Sequence, residues 1–215
     1  MKEKMTSRIC IFGASGATGL SLTRQAVERG YDVVAFVRSA AAKENFPPDV
    51  TVMVGDLLER SDVEHALTGC EAVLCAISQG PSSSQVFCAE ATQIIIEAMK
   101  AQNIRRLIWV TGAMIGDYPY LSWFMRSMKN SYQKQQPALA KDRAEQEQRI
   151  AICGLDWNVV KPPQLTNGTG GGRFKSGESL KVGAMSSISR VDLSRFILDE
   201  MAMRRYVGKR VVVLV

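Results

Sequence analysis

Short apolar runs alternate along the chain with segments that repeat their apolar positions at helical spacing. Runs that are apolar at nearly every position are typical of strands covered on both faces of a sheet. One helical segment shows the spacing clearly, with apolar residues at Ile94, Ile95, Ala98 and Met99. The pattern predicts strands at 8–12, 32–37, 51–54, 72–76, 107–110, 157–160 and 210–215, and helices at 20–28, 61–69, 89–99, 137–153 and 189–203.

The alternation of strands and helices indicates the fold class. Such chains form a parallel sheet with helices on both faces, because each crossover helix must bury its apolar stripe against the sheet. The sequence therefore predicts an α/β protein with a doubly wound parallel sheet. Its 215 residues suit one hydrophobic core, so we expect a single domain over residues 1–215.

Two further patterns concern where elements begin and end. Ser61 with Glu64, and Ser189 with Asp192, have the capping-box spacing that opens a helix. The glycine-rich stretch at 168–172 predicts an irregular loop. We expect that loop to lead into a small C-terminal lobe that holds the substrate.

The first predicted strand runs directly into a segment with glycines at three-residue intervals. A glycine lets the chain turn off the strand, a second lets a pyrophosphate approach backbone N–H groups, and a third lets the helix pack closely on the sheet. The N-terminus of the following helix adds free N–H donors and a partial positive charge. This context predicts a Rossmann-type dinucleotide site. The residues expected to bind the cofactor there are Gly13, Ser15, Gly16, Ala17, Thr18 and Gly19.

The end of the second strand indicates which dinucleotide binds. An NAD site usually places Asp or Glu there to hold the ribose 2′-hydroxyl. This chain has Arg38 and Ser39, with Lys43 close behind. A guanidinium can bind a 2′-phosphate through two charge-assisted hydrogen bonds. NADP(H) is therefore favoured over NAD(H), with Arg38 and Ser39 as cofactor-binding residues.

Composition argues against several other classes of protein. The formal net charge is +6, but no run of five basic residues occurs, which fits a solvated surface and anionic small ligands better than nucleic acid. Five cysteines without a C-x-x-C pair and the single His65 argue against a disulfide framework and a metal site. No apolar run reaches the roughly 18–20 residues of a membrane span. We expect a cytoplasmic protein, monomeric or a small homo-oligomer, without metal or nucleic acid.

Several segments together resemble a known family. They are the glycine motif at 13–19, Val37-Arg38, Gly55-Asp56, the stretch from Trp109 to Ala113, and Lys161-Pro162-Pro163. In order and spacing the chain resembles the NmrA-like group of atypical short-chain dehydrogenases, and within it the biliverdin-IXβ reductase or NADPH-flavin reductase type. The resemblance covers nearly the whole chain.

The resemblance implies positions for the rest of the site. Further cofactor-binding residues would lie at the carboxyl ends of the strands, where open α/β sheets bind ligands. Thr111, facing the nicotinamide, would be the candidate catalytic residue. The implied cofactor-binding residues are Asp56, Leu57, Ala76, Ile77, Ser78, Thr111, Gly112, Pro162, Pro163 and Gln164.

The chain departs from the family pattern in its acid–base groups. Gly112 stands where the reductase type carries serine, and no Tyr-x-x-x-Lys pair of short-chain dehydrogenases occurs at the expected place. The sequence therefore lacks a dedicated acid for protonating an alkoxide. This favours an NADPH-dependent reductase whose acceptor is a flavin, quinone or linear tetrapyrrole, with the proton taken from water. The alternatives are a non-catalytic NADP(H)-sensing regulator and a sugar-nucleotide epimerase-like enzyme.

An aromatic segment at 118–132 follows the fifth strand. Leu121, Phe124, Met125, Met128 and Tyr132 have the spacing of an amphipathic helix with a buried apolar stripe. Trp123 lies to the side of that stripe. We interpret the segment either as a lid in which Trp123 and Phe124 bind a planar acceptor, or as a surface helix against the core or another subunit.

Overall fold

The computed structural model describes residues 7–77 and 86–215. Its larger sheet has eight strands in the order β3-β2-β1-β4-β5-β6-β10-β8, and all neighbours are parallel except β10 and β8. The strand order reverses direction between β1 and β4, which is the place where doubly wound sheets bind ligands. The predicted fold class is confirmed. The strands are β1 Arg8–Phe12, β2 Asp32–Val37, β3 Thr51–Val54, β4 Ala72–Cys75, β5 Arg106–Val110, β6 Asp156–Lys161, β7 Gln164–Thr166, β8 Lys175–Gly177, β9 Ser187–Ser189 and β10 Lys209–Leu214.

Helices cover both faces of the sheet. On one face, α2, α3 and α5 pack over alternate strand residues such as Phe12 and Trp109. On the other face, α1 and α6 pack over the intervening strand residues, such as Ile11 and Ile108, whose side chains point to the opposite side of the sheet. None of the described helices is both long enough and apolar enough to cross a membrane. The helices are α1 Ala17–Glu28, α2 Arg60–Leu67, α3 Cys88–Ala101, α4 Trp123–Gln135, α5 Pro137–Ala151 and α6 Arg190–Met203, with a 3₁₀ helix at Ala40–Asn45.

The two predicted capping boxes behave differently. Ser189 caps α6: its Oγ accepts the Asp192 N–H at 2.9 Å, and its hydroxyl donates to the Asp192 carboxylate at 2.9 Å. The capping box at Ser61 is wrong, because the N-cap of α2 is Glu59, two residues before Ser61, and no side chain caps the helix. The Asp62 carboxylate instead accepts the N–H of Asp56 at 2.9 Å, which ties α2 to the loop after β3.

The glycine-rich loop is held by the start of α6. Asp192, which is buried, accepts the N–H of Gly171 at 3.1 Å and of Gly172 at 2.8 Å. The loop connects β7 to β8, and β7 pairs with β9 in a separate two-stranded sheet. A third apolar cluster, which includes Tyr118 and Met125, packs beside Val212 of β10. The expected C-terminal lobe that holds the substrate stays a prediction.

Candidate functional site

A groove of about 530 Å³ lies along the carboxyl ends of β1, β2 and β4. Its volume is in the range of small-molecule and cofactor sites. The groove brings together eight residues predicted from the sequence, namely Gly13, Ser15, Gly16, Arg38, Asp56, Leu57, Ala76 and Ile77. It is also lined by five that the sequence reasoning missed, namely Phe36, Val37, Leu58, Val86 and Phe87.

The glycines of the first loop have different structural roles. Gly13 has a φ of +75°, and a Cβ there would lie 2.7 Å from the backbone of Ala76. A Cβ on Gly19 would lie 2.1 Å from the carbonyl oxygen of Gly13. At Gly16 the nearest atom to such a Cβ would be 3.4 Å away. The fold therefore requires glycine at 13 and 19, whereas Gly16 leaves open space on the groove side.

The N-terminus of α1 faces this loop without a side-chain cap. Gly16 is the N-cap, and the first turn, which includes Ala17 and Thr18, carries no acidic residue. The first N–H groups of a helix have no partner within the helix. Free N–H groups and the positive end of the helix dipole suit a pyrophosphate. The loop and the helix thus fit the phosphate part of a dinucleotide.

The other end of the groove combines a cation with an apolar wall. Arg38 follows β2 directly and is exposed at the groove edge. Leu57 is buried and lies in a turn in which Asp56 Oδ1 accepts the N–H of Leu58 at 2.9 Å. Ser39 does not line the groove, and its hydroxyl oxygen accepts the N–H of Ala41 at 3.3 Å at the start of the 3₁₀ helix.

A buried ion pair lies behind the carboxyl end of β5. The Glu147 side chain is 2% exposed and that of Lys161 is fully buried, and Lys161 Nζ lies 2.5 Å from Glu147 Oε1. Thr111 donates its hydroxyl proton to the same Oε1 at 2.7 Å. Lys161 also donates to the carbonyl oxygen of Ile115 at 2.6 Å. Burial lowers the pKa of Lys161 below its usual 10.5, although the Glu147 carboxylate acts in the opposite direction.

The sequence reasoning missed Glu147, and also Asp142 and Arg143 on the same helix. The Asp142 carboxylate accepts the N–H groups of Cys88 and Ala89, both at 2.9 Å, and so caps α3. Arg143 is buried, and it donates to the carbonyl oxygen of Ile77 at 3.4 Å. Because Ile77 lines the groove, Arg143 places a cation behind its β4 end. The only signal in the sequence was the spacing of these charges on the same side of α5 as buried Ile150.

The loops after β5 and β6 are joined to each other. Ala113 donates its N–H to the carbonyl oxygen of Pro162 at 2.9 Å, and Thr111 donates its N–H to Val160 at 2.9 Å. This brings Thr111 and Gly112 beside Pro162. None of Thr111, Gly112, Pro162, Pro163 and Gln164 lines the groove itself, and Gln164 opens β7. Ser78 lies outside the described residues.

The aromatic segment differs from the prediction. Phe124 is 47% exposed and Trp123 is 83% exposed, and neither lines the groove. The expectation that Phe124 belongs to a buried stripe is wrong. The helix is rotated so that Met125 is its buried residue, because Met125 joins Tyr118 and Leu121 in the cluster beside β10.

Comparison with known proteins identifies the family. A family model described as NAD(P)H-binding matches residues 13–203. The chain belongs to this NAD(P)H-binding family. The matched region includes the glycine loop, Arg38 and the Glu147–Lys161 pair of this NAD(P)H-binding protein.

Individual relatives and solved structures are more distant. An uncharacterized protein of Mycobacterium tuberculosis is 24% identical over 155 residues, which are 72% of this chain and 14% of the relative's length. The chain therefore corresponds to a small part of that relative. An anaerobillin reductase from Escherichia coli has a TM-score of 0.80 at 19% identity, covering 96% of each chain. A short-chain dehydrogenase/reductase from Veillonella parvula, in complex with NADP, has a TM-score of 0.77 at 17% identity, covering 97% of this chain and 94% of that one. The two structures share the fold.

Proposed function

We propose that this protein is an NADPH-dependent reductase of a small conjugated acceptor, such as a flavin, a quinone or a linear tetrapyrrole. The observation that carries the proposal is the groove, in which the uncapped N-terminus of α1 offers N–H donors that suit a dinucleotide phosphate and the exposed Arg38 offers a cation that suits a 2′-phosphate. We propose a single domain over residues 1–215 for this activity, located in the reducing cytoplasm.

The preference for NADPH rests on charge at the end of β2. Arg38 supplies planar donors that match a phosphate, whereas a free 2′-hydroxyl would gain little from a guanidinium. Among the described residues that line the groove, one is acidic, namely Asp56, whose Oδ1 already accepts the N–H of Leu58. The charge distribution therefore favours the phosphorylated cofactor.

The choice of acceptor rests on the acid–base groups beside β5. When bound, the dinucleotide would supply a hydride. Thr111 and Gly112, with Pro162, Pro163 and Gln164 on the adjoining loop, would face its nicotinamide end. No Tyr-x-x-x-Lys pair for alkoxide chemistry starts at Tyr118, Tyr120 or Tyr132. The residues four places after them are Ser122, Phe124 and Gln136. An acceptor that takes a hydride on a conjugated ring needs less help from such a pair. The fold shared with an anaerobillin reductase supports this class of acceptor.

A non-catalytic NADP(H)-sensing role is the second candidate. The observation that favours it is the exposed apolar face of α4, where Trp123 is 83% exposed. An exposed apolar patch often marks a protein interface. Under this alternative the groove would bind NADP(H) according to its concentration in the cell, and α4 would bind another protein.

The test is NADPH oxidation with a panel of FMN, FAD, menadione and biliverdin, followed at 340 nm. Cofactor binding is measured separately by NADPH fluorescence. The proposal expects NADPH binding and turnover with at least one acceptor, and Gly16→Val should abolish both. NADPH binding without turnover of any acceptor would favour the sensor, and absence of binding would contradict both functions.

A further inference from the structure

The two carboxylate oxygens of Glu147 face different surroundings. Oε1 accepts the Thr111 hydroxyl at 2.7 Å and lies 2.5 Å from Lys161 Nζ. Oε2 has no hydrogen-bond partner among the described residues, although Arg210 Nε lies 3.5 Å from it. An unmatched buried oxygen is costly, and sites that retain one usually have a functional reason. Glu147 therefore lies between the Thr111 and Lys161 side chains on its Oε1 side and a second cavity on its Oε2 side.

The region on the Oε2 side is a second cavity of about 460 Å³ between α4, α5 and the loop after β5, which we name the rear chamber. Among the residues that the structure describes, none lines both this chamber and the groove. Its polar lining and its size allow it to hold several water molecules. The lining residues are Met114, Ile115, Gly116, Asp117, Tyr132, Gln133, Ala140, Ala144, Glu147, Gln148 and Arg210.

Glycine at position 116 keeps the chamber side of Glu147 open. Gly116 has a φ of +59°, and a Cβ there would lie 2.5 Å from Glu147 Oε2. Any other residue would press on the oxygen that has no hydrogen-bond partner. The loop is held in place by Lys129, which donates to the Gly116 carbonyl oxygen at 2.5 Å. The absence of a side chain at Gly116 therefore leaves Oε2 accessible from the chamber.

The charges around the pair favour movement of a proton. Arg210 on β10 and Lys129 on α4 add positive charge beside Lys161, while Asp117 and Tyr132 line the chamber. Burial and these two cations lower the pKa of Lys161, whereas Glu147 raises it. A buried lysine with a lowered pKa releases a proton more readily than an exposed one.

We propose that Lys161, Glu147 and Thr111 form a proton relay that carries protons from the rear chamber to an acceptor bound beside β5. The proposal rests on the proposed reductase function and adds the source of its proton. In this relay Glu147 is a positioning residue, since it acts through Thr111. The sequence alone predicts that the acceptor takes its proton directly from water. The relay instead delivers a solvent proton through the protein.

The proton balance of the relay closes with these three groups and one proton taken from the buffer. After hydride transfer the acceptor is an anion, and the Oγ–H bond of Thr111 breaks as its proton bonds to that anion. Oγ takes a proton from Glu147 Oε1, and Oε1 takes one from the Lys161 ammonium. The pair is then one proton short. A protonated buffer acid supplies the missing proton through chamber water to Oε2 and leaves as its conjugate base. Rotation of the carboxyl group about Cγ–Cδ then brings the protonated oxygen to Lys161 Nζ, and the amine takes the proton, which restores the ammonium and the carboxylate.

The test separates proton transfer from a merely structural ion pair. Lys161→Arg preserves the charge, but arginine stays protonated in proteins and cannot pass on a proton. Glu147→Gln keeps hydrogen bonding without a proton to give. Glu145→Gln is the matched control on the same helix, because Glu145 is partly exposed and pairs with Arg149. Menadione is the acceptor probe, and NADPH binding and thermal unfolding are measured for every variant.

We expect both relay variants to lose about 100-fold or more of the chemical step, the magnitude of general acid catalysis, while NADPH affinity stays within about twofold. Their pH–rate profiles should flatten, and Glu145→Gln should match the wild type. Wild-type turnover and pH profile in Lys161→Arg would overturn the relay. Loss of NADPH binding in the wild type would instead count against the reductase itself.

A second measurement needs no turnover and covers the case in which the variants do not fold. The Lys161 amine is titrated in the wild-type protein by NMR of lysine labelled with ¹³C at Cε, and its signal is assigned by its absence from Lys161→Arg or by exclusion of the exposed lysines. The relay expects Lys161 to lose its proton below its usual pKa of 10.5. An ammonium that remains protonated above that pH would overturn the proposal.

Discussion

Gly19 packs so closely on Gly13 that a Cβ at position 19 would lie 2.1 Å from the Gly13 carbonyl oxygen. Gly16, between them, has ordinary extended backbone with a φ of −73° and a ψ of 161°. Two of the three glycines are therefore required by the protein's own packing, and the third is not. This difference allows the loop's role in binding to be separated from its role in folding.

Gly16→Val should fold and lose the cofactor. Its Cβ would meet no protein atom closer than 3.4 Å, but the side chain would occupy the space where a pyrophosphate approaches the backbone. We expect a melting temperature within a few degrees of wild type and NADPH affinity reduced beyond detection. Gly19→Ala is the contrasting variant and should destabilise the fold. Normal NADPH binding by a folded Gly16→Val protein would show that the loop does not hold the phosphates.

Arg38→Ala should weaken NADPH binding much more than NADH binding. Loss of a charge-assisted contact to phosphate costs about 1.5–3 kcal/mol, which is roughly 10- to 150-fold in affinity. Titration of both cofactors against wild type and variant measures the difference. Lys43→Ala removes a nearby positive charge that does not line the groove, and it should have little effect. Equal wild-type affinities for NADPH and NADH would refute the assignment.

The aromatic segment allows stability and acceptor binding to be tested on adjacent residues. Met125 is buried, so Met125→Ala should cost about 2–5 kcal/mol of unfolding free energy. Phe124 is half exposed, so Phe124→Ala should cost no more than about 1.5 kcal/mol. Chemical denaturation measures both.

Trp123→Ala should raise the Michaelis constant for the acceptor and leave NADPH affinity within about twofold, because Trp123 lies outside the groove and its exposed indole can stack on a planar ring. Ser127→Ala, on the same helix, is a suitable control. A change only in oligomeric state, seen by light scattering, would instead identify α4 as an interface between chains.

Asp192 should make the protein less stable in acid. Burial alone would raise its pKa, but the N–H groups of Gly172 and Gly171 and the Ser189 hydroxyl lower it, so that the pKa lies below the usual 3.8. The unfolded state then binds the proton more tightly than the folded state. The stabilisation is complete above the unfolded pKa and is lost as the pH falls below it.

Asp192→Asn should therefore lower stability by about 1–3 kcal/mol near pH 7, the cost of buried donors left poorly matched. The difference from wild type should shrink as the pH falls below the usual pKa of 3.8, because the unfolded chain then binds a proton that the folded carboxylate resists. Asp199→Asn is the control on the same helix, since Asp199 forms only a partly exposed ion pair with Arg29. If the loss of unfolding free energy in Asp192→Asn were the same at every pH, the negative charge of Asp192 would not be the source of the stabilisation.

Local patterns predicted the parts of the protein that depend on local physics. The strands and the glycine loop could be read directly, because continuous apolar runs and glycine spacing express burial and backbone conformation. Ser189 and Ser61 show the limit. Both fit the same capping pattern, yet only Ser189 caps a helix, because α2 has already begun at Arg60 and Ser61 lies inside it.

The groups on α5 could not be predicted in the same way. Glu147 contacts Lys161 and Thr111 only because α5 packs across the ends of β5 and β6 in the folded protein. The same applies to Asp142 at the start of α3. Phe124 was misplaced for a related reason: an amphipathic repeat does not say which of two adjacent apolar residues meets the core, and here the cluster beside β10 accommodates Met125.

Strand β10 lies inside the sheet, parallel to β6 and antiparallel to β8, although β6 and β10 are far apart in the sequence. On the ribosome, β6 must therefore wait with an open edge until Leu214 has emerged. The roughly 50 intervening residues take about 3–10 s to synthesise. An unpaired strand edge readily joins other chains during that interval. The β6 edge of the nascent chain is therefore open to mispairing until β10 has been translated.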